Sequence, residues 1–235
     1  MLEKVKEIFH QTPTNVPHHV ALTTSGVEQW ALDNKESVEK ANAKSFENIR
    51  LLIHEQVRFK IPWMTFYLLR EEMDKESSQF SILIDAMIHF FTLLSQEEVI
   101  HSHHVKISVI GKWYSLPSRV IDPIKAIVES TRDYSDFSLN FCINYDGQEE
   151  IVDACLLIGK QIEGQKRDPE SLTKEIIKEN LYSSHFPPVN LLIKNGKKHS
   201  THGFLLWDSA EAHIYFSDVL WPDFTVHDFE KALRE

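Results

Sequence analysis

A repeated alternation constrains this chain more than any other feature. Short runs rich in β-branched and aromatic residues occur at "VALTT" (20–24), "WMTFYLL" (63–69), "VKISVIG" (105–111), "FSLNFCINY" (137–145) and "VNLLI" (189–193), with helix-length segments between them. Strands joined by helical crossovers pair in parallel, and a parallel sheet needs helices on its faces to cover its apolar side chains. The crossovers support this. "SVEKANAKSFENIRLLIHEQVRF" (37–59) has polar and apolar residues at helical spacing, while "LPSRVIDPIKAIVEST" (116–131) and "GQEEIVDACLLIGKQI" (147–162) each begin after a turn signal. The expected fold class is α/β, a mostly parallel sheet flanked by helices, in one domain over 1–235. A hydrophobic content of 42% is enough to fill the core of such a domain.

The segment 79–96 departs from the pattern of a surface helix. Ile82, Leu83, Ala86, Met87, Phe90 and Leu94 form one apolar face and Ile84, Ile88 and Phe91 another, so the helix has to be covered on both sides. Two arrangements provide that cover: sheet on one face with a dimer partner on the other, or an apolar ligand cavity. Its apolar run, "FSILIDAMIHFFTLL" (80–94), is interrupted by Asp85 and His89 and falls short of the roughly 20 residues that span a bilayer, so it reads as a buried helix. A formal net charge of −10, from 25 basic against 35 acidic residues, argues against a general nucleic-acid or anionic-membrane surface. Only Cys142 and Cys155 occur, and the amphipathic opening "MLEKVKEIFHQ" lacks the pattern of a secretory signal. A reducing, cytoplasmic setting is expected, with both cysteines as small core residues.

The carboxy-terminal third carries a longer pattern. "FLLWDSAEAHIYFSDVLWPDF" (204–224) resembles the closing motif of the cis-prenyltransferases, the undecaprenyl diphosphate synthase family, in which Phe-Leu-Leu-Trp is followed by Asp-Val-Leu-Trp-Pro-Asp-Phe. "VKISVIGKWYSLP" (105–117), "LNFCINYDGQEEIVDA" (139–154) and the opening "HVALTTSGVEQWA" (19–31) follow the family's order and spacing, so the resemblance spans about residues 17–233. It implies a single domain with a six-stranded, mostly parallel sheet, a homodimer or heterodimer, and an apolar tunnel for an isoprenoid chain. On this resemblance the helix 79–96 forms one tunnel wall, with Met87, Phe90, Phe91 and Leu94 lining it.

The family's chemistry joins an allylic diphosphate to isopentenyl diphosphate and needs two anion sites with Mg²⁺. The family pattern Asp-Gly-Asn-Gly-Arg-Trp-Ala holds metal and diphosphate at the turn after the first strand, and here it reads Ser25-Gly26-Val27-Glu28-Gln29-Trp30-Ala31. The carboxylate and the arginine are both missing. A second arginine and a histidine fall on Val38 and Asn42, and the Phe-Ser-x-x-Asn-Trp segment falls on Leu69, Arg70, Met73 and Asp74. In the second anion site, "KNGKKHSTHG" puts Lys194 and Ser200 at the two arginines and His202 at the serine, while His213 occupies the position of a metal-binding glutamate. Imidazole is a poor Mg²⁺ ligand, so no metal is expected at His213. The resemblance implies substrate contacts at Gly26, Gln29, Trp30, Asn42, Lys194, Ser200 and His202, with Ser25 where the family's catalytic acid stands.

New titratable groups stand near the lost ones. Lys197, Lys198, His199, His202 and His213 are able to hold an anion without metal, or His202 and His213 a softer ion such as Zn²⁺; a solvated basic loop with surface histidines explains them as well. "HSHH" (101–104) and the pair His18–His19 read in the same way as polar residues beside strands. Three functions remain open. The chain is an isoprenoid-binding or accessory subunit without normal Mg²⁺-dependent elongation, partnering itself or a cis-prenyltransferase subunit and needing no cofactor. Alternatively it is an enzyme of altered isoprenyl diphosphate chemistry, an unusual prenyltransferase or terpene synthase with His202, His213 or Glu28 in acid, base or anion-holding roles and Mg²⁺ as a possible cofactor. The third is an interaction module with a filled tunnel. Partners of active subunits in this family often supply an Arg-x-Gly tail, and this chain ends "DFEKALRE".

Overall fold

In a computed structural model, residues 16–71 and 73–235 are described; the opening "MLEKVKEIFHQ" lies outside them. Six strands, β1 (His19–Thr23), β2 (Trp63–Arg70), β3 (Val105–Ile110), β4 (Phe137–Tyr145), β5 (Leu191–Asn195) and β6 (His213–Ser217), form one sheet in the order β3-β4-β2-β1-β5-β6. Every pairing is parallel; Leu22, for example, stands beside Phe66 on one side and Ile193 on the other. The described helices are α1 (Val27–Asn34), α2 (Val38–Phe59), α3 (Ser78–Leu94), α4 (Glu98–Ser102), α5 (Ser118–Ser130), α6 (Gly147–Glu163), α7 (Lys174–Glu179) and α8 (Val226–Ala232). None of them is long and apolar enough to cross a membrane.

Local signals set the long helices. The Ser37 and Ser77 side chains accept from the backbone N–H groups of Lys40 and Phe80, and Asp146 accepts from those of Gln148 and Glu149, satisfying donors that have no partner inside the helix. α2, α3 and α5 cover one face of the sheet; Phe46, Ile49 and Ile53 from α2 and Met87, Phe91 and Leu94 from α3 meet Leu22, Phe66 and Phe141 there. The opposite face buries Ala21, Tyr67, Cys142 and Leu192 beneath Phe186, Phe204 and Leu205.

Four expectations need correction. The two apolar faces of α3 are divided differently: Phe80, Ile84, Met87, Phe91 and Leu94 recur at helical spacing as one buried stripe, while Ile82, Ala86 and Phe90 line a groove towards α2. The strand expected at 189–193 runs from Leu191 to Asn195; just before it, the Asn190 side chain accepts from the N–H of His19 (2.9 Å). β6 has no counterpart among the runs singled out by strand composition; it is an edge strand whose Phe216 is exposed. Cys155 is exposed on α6, whereas Cys142 is buried in β4, where desolvation pushes its thiol pKa up.

His19 is a core residue. It is fully buried, its Nδ1 lies 2.9 Å from the Pro187 carbonyl and its Nε2 2.8 Å from Thr65 Oγ1. A carbonyl only accepts, so Nδ1 carries the proton and Nε2 accepts from the threonine. Burial pushes the imidazole down to about 4 from 6.5. The folded state therefore resists a proton that the unfolded chain takes up below pH 6.5, and stability present above that pH is lost as pH falls towards 4. We expect the loss to reach about 3 kcal/mol. Urea titrations between pH 7 and pH 5 check this: in His19→Gln the pH slope across that window should flatten.

Candidate functional site

Neighbouring parallel strands that send their chains to opposite faces open a crevice at their carboxyl ends. β1 and β5 do so here: the chain after β1 enters α1 and α2 on one face, while the chain after β5 brings Phe204 and Leu205 to the other. Asn195 joins the two ends. Its Oδ1 accepts from Thr23 Oγ1 (2.8 Å) and from the N–H of Ser25 (3.0 Å), and the Ser25 carbonyl accepts from the N–H of Trp221 (3.0 Å).

Gly26 follows with φ of 91°, and a Cβ built there would stand 2.6 Å from Leu220 Cδ2, so the position suits glycine. It opens α1 without a side-chain cap, which leaves the first-turn N–H groups to face an anion. Beside this turn is a cavity of about 80 Å³, rimmed by Thr24, Glu28, Asn42 and Gln79 and walled by Val27, Phe46, Leu83 and Trp221. Asn42 is held in place by its amide nitrogen, which donates to the Val38 carbonyl (3.0 Å) one turn earlier.

The residues singled out from sequence divide into groups. Ser25 and Gly26 form the turn, while Asn42 and Val38 line the cavity bounded by Thr24 and Val27 on either side of it. Gln29 is exposed and bonds Asp33 on its own helix (2.6 Å), while Trp30 is buried beneath the Lys44 ammonium, 4.8 Å from its ring centroid. Ser200 and His202 lie on the loop between β5 and β6. His213 begins β6 opposite Leu191, at the end of the sheet remote from Ser25. Met87, Phe91 and Leu94 are packed in the core, and Phe90 lines the groove between α2 and α3.

The additional histidines do not converge. His199 pairs with Asp218 (3.1 Å) and Lys197 with Asp33 (3.8 Å). Of the "HSHH" residues, His101 ends in α4 and reaches Tyr134 and Ser95, while His104 reaches Asp136. Among the described residues no group of three or more His, Cys, Asp or Glu side chains is placed to hold a metal ion.

Lys194 is different. It is 1% exposed near the end of β5, its Nζ donates to the Asn195 carbonyl, and no carboxylate pairs with it among the described residues. Burial, and then the positive charge of Arg70 at the end of β2, push its ammonium down to about 8. Lys194 and Arg70 stand near the carboxyl ends of β5 and β2, with β1 between those strands. Sequence reasoning missed Asn195 and Phe46 altogether and named Arg70 only as a replaced position. The Asn-Gly pair closing "LLIKNG" was the available signal for the first, and the one-turn spacing of Asn42 and Phe46 for the second.

The family's Mg²⁺ needs oxygen donors, usually one or two carboxylates together with substrate phosphate. Among the described residues the cavity offers one carboxylate, Glu28, with the hydroxyls of Thr24 and Ser45 and two amides, and the turn offers Ser25. That donor set does not fit a metal site of the family's kind.

Comparison with known proteins gives a consistent result. A prenyltransferase family profile described as "Putative undecaprenyl diphosphate synthase" matches residues 24–235. An isoprenyl transferase of Clostridium tetani is 27% identical over 233 residues, covering 99% of this chain and 91% of that protein. A farnesyl-diphosphate-specific ditrans,polycis-undecaprenyl-diphosphate synthase of Photorhabdus laumondii is 30% identical over 220 residues, 93% of this chain and 86% of that one. Among solved structures, lavandulyl diphosphate synthase from Lavandula x intermedia, in complex with dimethylallyl diphosphate, has the same fold, with a TM-score of 0.88, 23% identity and coverage of 93% and 94%. With the sheet order, the crevice turn and the match over 24–235 in agreement, this chain belongs to the undecaprenyl diphosphate synthase family of cis-prenyltransferases.

Proposed function

We propose that the protein binds isoprenyl diphosphates at the β1–β5 crevice and does not perform Mg²⁺-dependent chain elongation, serving as an isoprenoid-binding or accessory subunit in the cytoplasm. The observation that carries this reading is the chemistry of the turn. Ser25 replaces the acid, its N–H and carbonyl are both engaged by the scaffold, and a single carboxylate among the described residues borders the cavity. Losing one preorganised contact to developing charge commonly slows an enzyme about 10²–10³-fold, and several are lost together. The uncapped start of α1 and the buried Lys194 ammonium support anion binding. Exposed Val152, Leu156 and Leu157 on α6, with exposed Leu206 against Gly147 at the start of that helix, suit a homodimer or a heterodimer with another family member.

A second reading has one observation in its favour. Glu28 is exposed at the rim of the cavity that Asn42 and Gln79 also line, and a carboxylate there supports the stabilising or deprotonating role that altered isoprenyl diphosphate chemistry requires.

Thermal unfolding with geranyl diphosphate, in Mg²⁺ and in chelator, followed by product analysis after adding isopentenyl diphosphate, tests both. Stabilisation that survives chelation, without a longer product, is expected. Metal-dependent elongation overturns the first reading, and a cyclised or rearranged product moves the conclusion to the second.

A further inference from the structure

The cavity beside the Ser25–Gly26 turn is opposite in character to the helix start next to it. Thr24, Glu28, Asn42 and Ser45 bring oxygen atoms to its lining, and no Lys, Arg or His lines it among the described residues. The hydrogen bonds these side chains already make decide which of their atoms are left for a ligand. Thr24 Oγ1 donates to the Tyr67 carbonyl (2.7 Å) and Ser45 Oγ to the Ala41 carbonyl (2.8 Å). A carbonyl only accepts, so each hydroxyl proton is spent and each oxygen keeps its lone pairs.

The same logic orients Asn42. Its contact with the Val38 carbonyl requires an N–H at that end of the carboxamide, which makes the oxygen the free end. Glu28 is exposed at the rim, and its carboxylate makes no ion pair among the described residues. Gln79 is the exception: its Oε1 accepts from Ser78 Oγ (3.2 Å), which leaves its N–H groups. The polar lining is thus dominated by acceptors and carries one negative charge.

Such a lining repels a phosphate, which is also an anionic acceptor, and complements a group rich in N–H donors. An alkylammonium supplies three N–H donors and the opposite charge, where an alcohol supplies one donor and no charge. Val27, Phe46, Leu83 and Trp221 provide apolar wall for the alkyl body, and a volume of about 80 Å³ restricts that body to a few heavy atoms. We propose that this cavity is a binding site for a small primary alkylammonium, held by the Glu28 carboxylate, Asn42 Oδ1 and the hydroxyl oxygens of Thr24 and Ser45. The site goes beyond the diphosphate reading and does not depend on it, since the anion there is assigned to the start of α1 and the ammonium to the cavity beside it.

The test uses 3-methylbut-2-enylamine at pH 7, with the matching alcohol and the N,N,N-trimethyl salt as controls. Each is titrated into the ¹⁵N-labelled full chain and followed by NMR, where the Asn42 side-chain amide and the Thr24 backbone N–H report the location. The amine should shift both signals to saturation. The alcohol should bind on the order of tenfold more weakly, and so should the trimethyl salt, which keeps the charge and lacks N–H donors. Glu28→Gln, an exposed substitution whose fold a melting curve confirms, should weaken the amine by on the order of tenfold and leave the alcohol unchanged. Either control binding as tightly as the amine, or a Glu28→Gln variant that keeps its affinity for it, overturns the ammonium site. No shift with the amine in a protein that geranyl diphosphate still stabilises overturns the ammonium site alone. Amine binding in a protein that takes no diphosphate supports the site and overturns the diphosphate reading.

Discussion

Trp221→Ala should lower the stability of the protein by about 3–5 kcal/mol, the range for deleting a large buried aromatic ring. Trp221 is fully buried and packs against Phe66 (6.1 Å, edge-on) and Phe224 (5.4 Å, stacked). Its indole Nε1 donates to the Ser45 carbonyl of α2 (3.1 Å), its backbone N–H donates to the Ser25 carbonyl, and its carbonyl accepts from Asn48 (2.8 Å). Side chain and backbone of this residue together fasten the carboxy-terminal segment to α2 and the turn, and the ring forms a wall of the cavity. Alanine removes the ring and leaves a void that close-packed neighbours refill only in part. The midpoint of urea unfolding measures the loss. Trp221→Phe should cost less, roughly 1–2 kcal/mol, because most of the apolar surface stays and only the indole hydrogen bond is lost. A loss below about 1 kcal/mol for alanine would show that the segment is not held through this ring.

How far the sequence discloses such features depends on whether their cause is local. α2 was legible from Ser37 to Phe59 because its cap and its apolar spacing both lie within the helix. The central strands β2 and β4 were legible because strands buried on both faces read as continuous apolar runs. β6 was not, since an edge strand with an exposed Phe216 carries neither a continuous run nor a clean alternation. The motif around "FLLWDSAEAHIYFSDVLWPDF" implied a sixth strand only through the family resemblance and did not place it. His19 illustrates the same limit: the burial of a histidine at the first position of a strand is decided by Thr65 and Pro187, far away in the chain.

The candidate site divides along the same line. The order of residues from Ser25 to Ala31 was readable, and so was the loss of its acid and arginine, because a turn and the helix that follows it are contiguous. The role of Asn195 was not, because it depends on β1 and β5 lying side by side, which brings residues 23 and 195 together. The same parallel pairing carries Lys194 into the interior and sends His213 to the far end of the sheet, although both were equally plain as replaced positions in the sequence.

Lys194→Met should move stability and ligand affinity in opposite directions. Lys194 has a pKa near 8 in the folded protein against 10.5 for the ordinary side chain, so the folded state disfavours its charged form. That penalty is fully present below pH 8 and fades as pH rises to 10.5, where the unfolded chain also loses the proton. At pH 7 an apolar side chain of similar length removes the penalty, and the variant should gain up to about 3 kcal/mol over the wild type. Denaturant titrations at pH 7 and pH 10 should show the gap narrowing at the higher pH. A diphosphate beside the ammonium has the reverse effect: it favours the charged form, so binding at pH 8 should draw protons from the buffer. Calorimetry of geranyl diphosphate in buffers of different ionisation enthalpy reads that uptake directly, and Lys194→Met should abolish it while weakening binding by at least about tenfold, the loss of one charge-assisted hydrogen bond. A destabilised methionine variant that keeps its affinity would show the lysine to be a structural strut. A stabilised one that no longer holds the diphosphate would show a cation kept at a cost in stability because the ligand requires it.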